Sequence, residues 1–125
     1  MRVLADTHII YWLFYEPHRL PTAARTILDD AEAAYVSVAS LWEIAIKVRI
    51  GKLKADLREL LASIEAANLF ELPVLARHTP LVSTLPLHHA DPFDRLLIAQ
   101  AISESLHLLT ADPQLKQYSD LVIQV

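Results

Sequence analysis

Five acidic side chains stand at or beside points where apolar runs give way to helical patterns: Asp6, Glu43, Asp91, Asp94 and Asp112. Each has a structural explanation, because Asp is a good N-cap and a carboxylate near a helix start meets the positive end of the helix dipole. If they converge, they have chemistry as well. Crowded carboxylates repel one another and take up protons or a cation. Mg²⁺ accepts a few carboxylates together with water, and paired ions about 3.5–4 Å apart can hold the attacking and leaving oxygens of a phosphodiester. Helix N-termini at the same place would add affinity for phosphate. There is no cysteine and no His pair at i, i+4 beside an acid, so a zinc site is not expected. The neighbours His88 and His89 point apart in regular structure and make a poor ligand pair.

The elements that would position these acids alternate. Arg2-Val3-Leu4-Ala5 reads as a buried strand ending at Asp6, and a helix follows through Ile9, Ile10, Trp12 and Leu13. A second helix runs from Thr22 to Ala34, and Tyr35-Val36-Ser37-Val38 forms the second strand. Ser40 is the expected cap of the third helix, with Glu43 completing a capping box and Gly51 ending it. Lys52 to Asp56 lead into a helix with Leu57, Leu60, Leu61 and Ile64 on one face. Phe70 to Val74 is a third strand interrupted by Pro73. Asp91-Pro92 opens a helix to Leu106 that is apolar almost all round and so belongs inside the domain. His107 to Thr110 is a fourth strand, Asp112-Pro113 opens a short helix through Tyr118, and Leu121 to Ile123 is a fifth strand.

Strands alternating with helices predict an α/β protein, with a short parallel sheet between two helical layers. In such a sheet the groups just past the strands' C-terminal ends line one rim, where ligands bind. Asp6, Glu43 and Asp112 fall there, and the Asp91–Asp94 pair is expected to join them.

With 125 residues, 54% hydrophobic, and one glycine, the chain is expected to form a single domain over 1–125. No apolar run reaches the roughly 18 residues that span a membrane. The N-terminus lacks a signal-peptide pattern, and the absence of cysteine fits the cytoplasm. A net charge of −4 argues against generic coating of nucleic acid, so a nucleic-acid enzyme would need cations at its acids and a local basic patch. Lys47, Arg49, Lys52, Lys54 and Arg58 supply one, with five of the eleven cations in a short stretch. Tyr11, Trp12, Phe14 and Tyr15 crowd one helix, which cannot bury them all on one face; an outward Tyr11 or Tyr15 would suit a partner.

Val3-Leu4-Ala5-Asp6-Thr7-His8, Ser37-Val38-Ala39-Ser40-Leu41-Trp42-Glu43-Ile44, Asp94-Arg95-Leu96-Leu97-Ile98-Ala99 and Thr110-Ala111-Asp112 together resemble the PIN-domain family. More narrowly, they resemble the VapC-type ribonuclease toxins of bacterial toxin–antitoxin pairs. The segments fall in family order over nearly the whole chain. The resemblance implies a three-layer α/β/α sandwich and endonucleolytic cleavage of RNA dependent on Mg²⁺, with Mn²⁺ as the alternative ion. It implies an antitoxin that blocks the site, and often a homodimer. By position it makes Asp6, Glu43, Asp94 and Asp112 the catalytic, metal-binding acids, with Thr7, Ser40 and Asp91 supporting or capping them. Pro113 after Asp112 departs from the family pattern. Two other readings are a catalytically silent binding module on the same fold and a Mg²⁺-binding receiver-type signalling domain. The receiver would need adjacent acids after the first strand, an acceptor Asp after the third and a late Lys, whereas Asp6 stands alone and Pro73 ends the third strand.

Overall fold

β1 (Arg2–Ala5) is the central strand, and its Val3, Leu4 and Ala5 are fully buried in a computed structural model that describes residues 1–125. Side chains alternate across a strand, so Val3 and Ala5 serve one core and Leu4 the other. β1 pairs in parallel with β2 (Ala33–Ser37) and with β4 (His107–Thr110). β3 (Phe70–Leu72) extends the sheet beyond β2, and β5 (Val122–Gln124) beyond β4, also in parallel. The order β3-β2-β1-β4-β5 is not the 2-1-3-4-5 order of receiver domains, which removes that reading.

Six helices cover the two faces: α1 (Thr7–Tyr15), α2 (Thr22–Asp30), α3 (Val38–Arg49), α4 (Leu57–Ala66), α5 (Thr79–Thr84) and α6 (Pro92–Glu104). On one face Ile9, Ile10, Ala24, Ile44, Leu60 and Ile64 pack against Val3, Ala5, Val36 and Leu109. On the other, Leu97, Ile98 and Ala101 of α6 pack against Leu4, Leu72, Leu108 and Val122. Five consecutive α6 residues, Leu97 to Ala101, are buried, as an all-round apolar helix requires. The three-layer arrangement is the expected one.

Several boundaries differ from expectation by a few residues, β3 ending at Leu72 rather than Val74 and α6 at Glu104 rather than Leu106, and two differences have a clear cause. α2 stops at Asp30 rather than Ala34, because Ala33 and Ala34 pair with Arg2 and Val3 and extend β2. α3 is capped by Ser37, whose hydroxyl accepts the Ala39 N–H at 3.0 Å, rather than by Ser40. The Ser40–Glu43 capping box therefore does not form, and Ser40 lies fully buried inside the helix. Gly51, at φ +80°, follows α3 as expected.

Candidate active site

Asp6 follows β1 directly and caps α1. Its Oδ1 accepts the Ile9 N–H at 3.0 Å, and its Oδ2 accepts the Thr110 hydroxyl. The carboxylate is only 3% exposed. Burial raises its pKa and Glu43 adds to the rise, while the two hydrogen bonds and His8 oppose it.

Glu43 lies about a turn and a half into α3 and is 4% exposed. Its Oε2 pairs with Lys47 Nζ at 2.7 Å, the i, i+4 partner. Its Oε1 is buried and has no partner. Leaving a buried carboxylate oxygen bare is costly, so something outside the chain is expected to meet it.

Asp94 sits in the first turn of α6, after Asp91 has capped the helix by accepting the Phe93 and Asp94 N–H groups at 2.8 and 3.2 Å. Its pKa is pushed up to about 6, first by burial and then by the charges of Asp91, Asp6 and Glu43, against a lowering contact with His89. Asp94, Asp6 and Glu43 thus share one repulsive field. Asp112 caps the short 3₁₀ turn Pro113–Tyr118, its Oδ1 accepting the Gln114 N–H at 2.9 Å. The capping roles and the gathering of acids coexist.

Three residues matter here that sequence reasoning passed over or, in the case of His89, set aside. Thr110, fully buried at the end of β4, donates to Asp6 Oδ2 and accepts the Asp112 N–H at 3.0 Å, linking the first acid to the last. His89 brings Nε2 to 2.8 Å from Asp94 Oδ2 and 3.8 Å from Asp112 Oδ2. The histidine neighbours do point apart, since the His88 ring lies edge-on to Tyr118, but one of them reaches the acids. Arg95 is buried and donates to the carbonyls of Val82 (2.8 Å), Pro86 (2.8 Å) and Leu85 (3.1 Å), fastening the segment before His89 to α6.

Other expected positions fall differently. Thr7 and Ser40 are buried, but Thr7 Oγ1 donates to Ser40 Oγ at 2.9 Å, so the hydroxyls tie α1 to α3 and meet each other rather than a carboxylate. Tyr11 does not face outward: it is 7% exposed and donates to the Lys54 carbonyl at 3.0 Å. Tyr15 stacks on it and donates to the Asp56 carbonyl at 3.3 Å. Both pin the 54–56 segment, Tyr11 from within the core and Tyr15 from its exposed edge. The most exposed aromatics are Trp42 and Phe70, and Trp42, 62% exposed, sets its ring edge-to-face on Phe93, the two being next to Glu43 and Asp94 in the chain. Of the basic stretch, Lys47 turns to Glu43, whereas Arg49, Lys52, Lys54 and Arg58 are exposed and outside any ion pair.

Asp6, His8, Trp12, Asp112 and Pro113 line an open cleft at this rim. A more apolar cavity of about 480 Å³ beside β3, lined by Val36, Leu61, Ile64 and Phe70 among others, includes none of the four acids. Around this rim the donors are mostly carboxylate oxygens, with His8 lining the cleft and His89 beside Asp94 and Asp112, and Glu43 keeps one orphaned carboxylate oxygen; the set fits a divalent metal ion.

A five-stranded parallel sheet with buried carboxylates at its carboxyl edge defines an α/β protein with an acidic, cation-seeking site. The chain belongs to the PIN-domain family, whose model matches residues 3–121. Over 123 residues it is 32% identical to Ribonuclease VapC22 of Mycobacterium tuberculosis, an alignment covering 93% of this chain and 91% of that protein. Its fold is similar to chains in three solved structures. VapBC2 from Rickettsia felis bound to a promoter DNA fragment matches at TM-score 0.72 and 20% identity, covering 100% of this chain and 98% of that one. FitAcB from Neisseria gonorrhoeae matches at 0.66 and 18%, covering 98% and 96%. A toxin–antitoxin complex from Klebsiella pneumoniae matches at 0.69 and 15%, covering 98% and 96%.

Proposed function

We propose that this chain is the toxin of a toxin–antitoxin pair and cuts RNA internally with the help of a divalent cation, Mg²⁺ or Mn²⁺. The observation that carries the reading is the buried, unpartnered Glu43 Oε1 within the field that pushes Asp94 up to about 6. The relationship to Ribonuclease VapC22 supports the substrate class, and the likeness to toxin–antitoxin complexes supports the antitoxin as partner. A homodimer and a cytoplasmic location belong to the same reading; no helix is long and apolar enough to cross a membrane.

Asp6, Glu43, Asp94 and Asp112 are the residues assigned to hold the cation. When bound, it supplies charge that polarises the scissile phosphate and acidifies water. The chain's own residues do the rest. Thr110 and the Ile9 N–H fix both oxygens of Asp6, so that carboxylate is set before any ligand arrives. Lys47 neutralises one oxygen of Glu43 and leaves the other without a partner in the chain, available to the cation. The N-termini of α1 and α6 draw the RNA phosphate to the rim. Lys52, Lys54 and Arg58 extend a phosphate-attracting surface away from it. No protein nucleophile is required. Purified chain, freed of any partner, is expected to cut RNA with Mg²⁺ or Mn²⁺ and to stop in EDTA. Metal binding without cleavage would favour the catalytically silent module instead.

A further inference from the structure

We propose that His89 is itself a ligand of the bound cation, giving the acidic rim a mixed nitrogen–oxygen donor set that prefers Mn²⁺ to Mg²⁺; the inference rests on the metal-dependent reading above.

One donor atom each from His89, Asp94 and Asp112 lies within 4.8 Å of the other two. Ligand atoms at about 2.0–2.2 Å from a common octahedral ion are about 3 Å apart when adjacent and about 4 Å apart when opposite. The 2.8 Å from His89 Nε2 to Asp94 Oδ2 is a hydrogen bond whose proton an ion would replace, leaving the two atoms about one octahedral edge apart, and Asp112 Oδ2 lies 3.8 Å from the same nitrogen, within reach after a small adjustment. The side chains of His89, Asp94 and Asp112 are 20%, 19% and 35% exposed, enough for an ion to enter and little enough to hold it. Asp112 Oδ1 is engaged by the Gln114 N–H, which leaves Oδ2 for this role.

The imidazole is held there by its backbone. The His89 N–H donates to Tyr118 Oη at 2.8 Å, and the Arg95 guanidinium fixes the preceding turn through three carbonyls. None of these contacts uses the ring, which faces the acids and is hydrogen-bonded through Nε2 to Asp94 Oδ2 in the metal-free chain. An independent sign that this rim awaits a ligand is Glu43 Oε1, buried without a partner in a carboxylate that Asp94 feels. Mn²⁺ is the hardest of the first-row transition ions and accepts carboxylates as Mg²⁺ does, but it exchanges a water for an imidazole nitrogen more readily than Mg²⁺, which keeps to oxygen and retains its waters. A set of carboxylates alone would not discriminate in this way.

The test is Mn²⁺ binding to the full chain, followed by the loss of the free-ion EPR signal, with pulsed EPR of the bound ion and Mg²⁺ affinity measured by competition. Wild-type protein is expected to show ¹⁴N hyperfine coupling on bound Mn²⁺. His89→Asn should lose that coupling and bind Mn²⁺ about tenfold or more weakly, with Mg²⁺ affinity changed by less than about twofold. Bound Mn²⁺ without nitrogen coupling in the wild type, which needs no variant to fold, overturns the assignment. So does tighter Mn²⁺ binding by His89→Asn, since His89 would then be occupying the cation's place. Asp94→Asn separates the two levels: wild-type binding that Asp94→Asn leaves intact sinks the acidic metal site, whereas missing nitrogen coupling with an Asp94-dependent ion removes His89 alone.

Discussion

Removing the charge of Asp94 should stabilise the metal-free protein. The Asp94 carboxyl titrates at about 6 in the fold against an ordinary value of 3.8, because its ionised form is desolvated and faces Asp91, Asp6 and Glu43. A carboxyl raised in this way adds stability below pH 3.8 that is lost as pH climbs through about 6. That gap corresponds to about 3 kcal/mol at neutral pH. Its side chain is 19% exposed, and Asn gives up part of the contact with His89, so about 2 kcal/mol is the expected gain for Asp94→Asn. In a chain of this size that is a rise of about 8 °C in Tm. Thermal melts in EDTA at pH 7.5 should show the variant above the wild type, and the difference should vanish toward pH 4. Saturating Mn²⁺ should reverse the order, raising the wild type and leaving the variant nearly unmoved. Equal melting temperatures at pH 7.5, or a difference that persists at pH 4, would refute the view of these acids as a mutually strained cluster.

Tyr11→Ser should cost about 3–5 kcal/mol, as loss of a buried aromatic does, and urea titration should show it; an unshifted midpoint would mean that Tyr11 is not in the core. Arg95→Lys should cost about 2–4 kcal/mol, since an ammonium cannot serve three carbonyls held by a planar fork. It should also weaken Mn²⁺ binding by loosening the turn before His89, measurable on the folded variant at low temperature. Neutralising Lys52, Lys54 and Arg58 together should lower RNA affinity and flatten the slope of log K against log salt by about 2. An unchanged slope in a filter-binding series would place the RNA elsewhere.

The elements governed by local rules were readable from residue order. Asp91-Pro92 and Asp112-Pro113 are caps followed by proline, and both open helical turns where expected. The nearly all-round apolar surface of α6 requires burial on several sides, and Arg95 and Gln100 are buried with it. Ser37 and Ser40 show where local rules stop. Both can cap, and the choice fell to Ser37 because Ser37 also ends β2, opposite Leu72, and donates to Gln100 Oε1 at 2.6 Å. Thr110 carries no local signal of its bond to Asp6, 104 residues away; only the pairing of β1 with β4 makes it. Tyr11 reads as a surplus aromatic in the sequence because the carbonyl that receives its hydroxyl, that of Lys54, belongs to a distant loop. His89 was half legible: the rule that neighbours diverge excludes a pair of ligands and leaves one of them free to reach the acids.

The measurement that bears most directly on the proposed activity is an RNA cleavage assay on the purified chain, stripped of any bound protein, with wild type and Asp6→Asn side by side. Asn can still accept the Ile9 N–H and cap α1, so that variant removes charge while keeping the fold. Wild-type protein should cut RNA with Mg²⁺ or Mn²⁺ and stop in EDTA, and folded Asp6→Asn should leave the RNA intact under all conditions. Cleavage that survives EDTA, or that Asp6→Asn retains, would contradict a metal-dependent site built on these carboxylates.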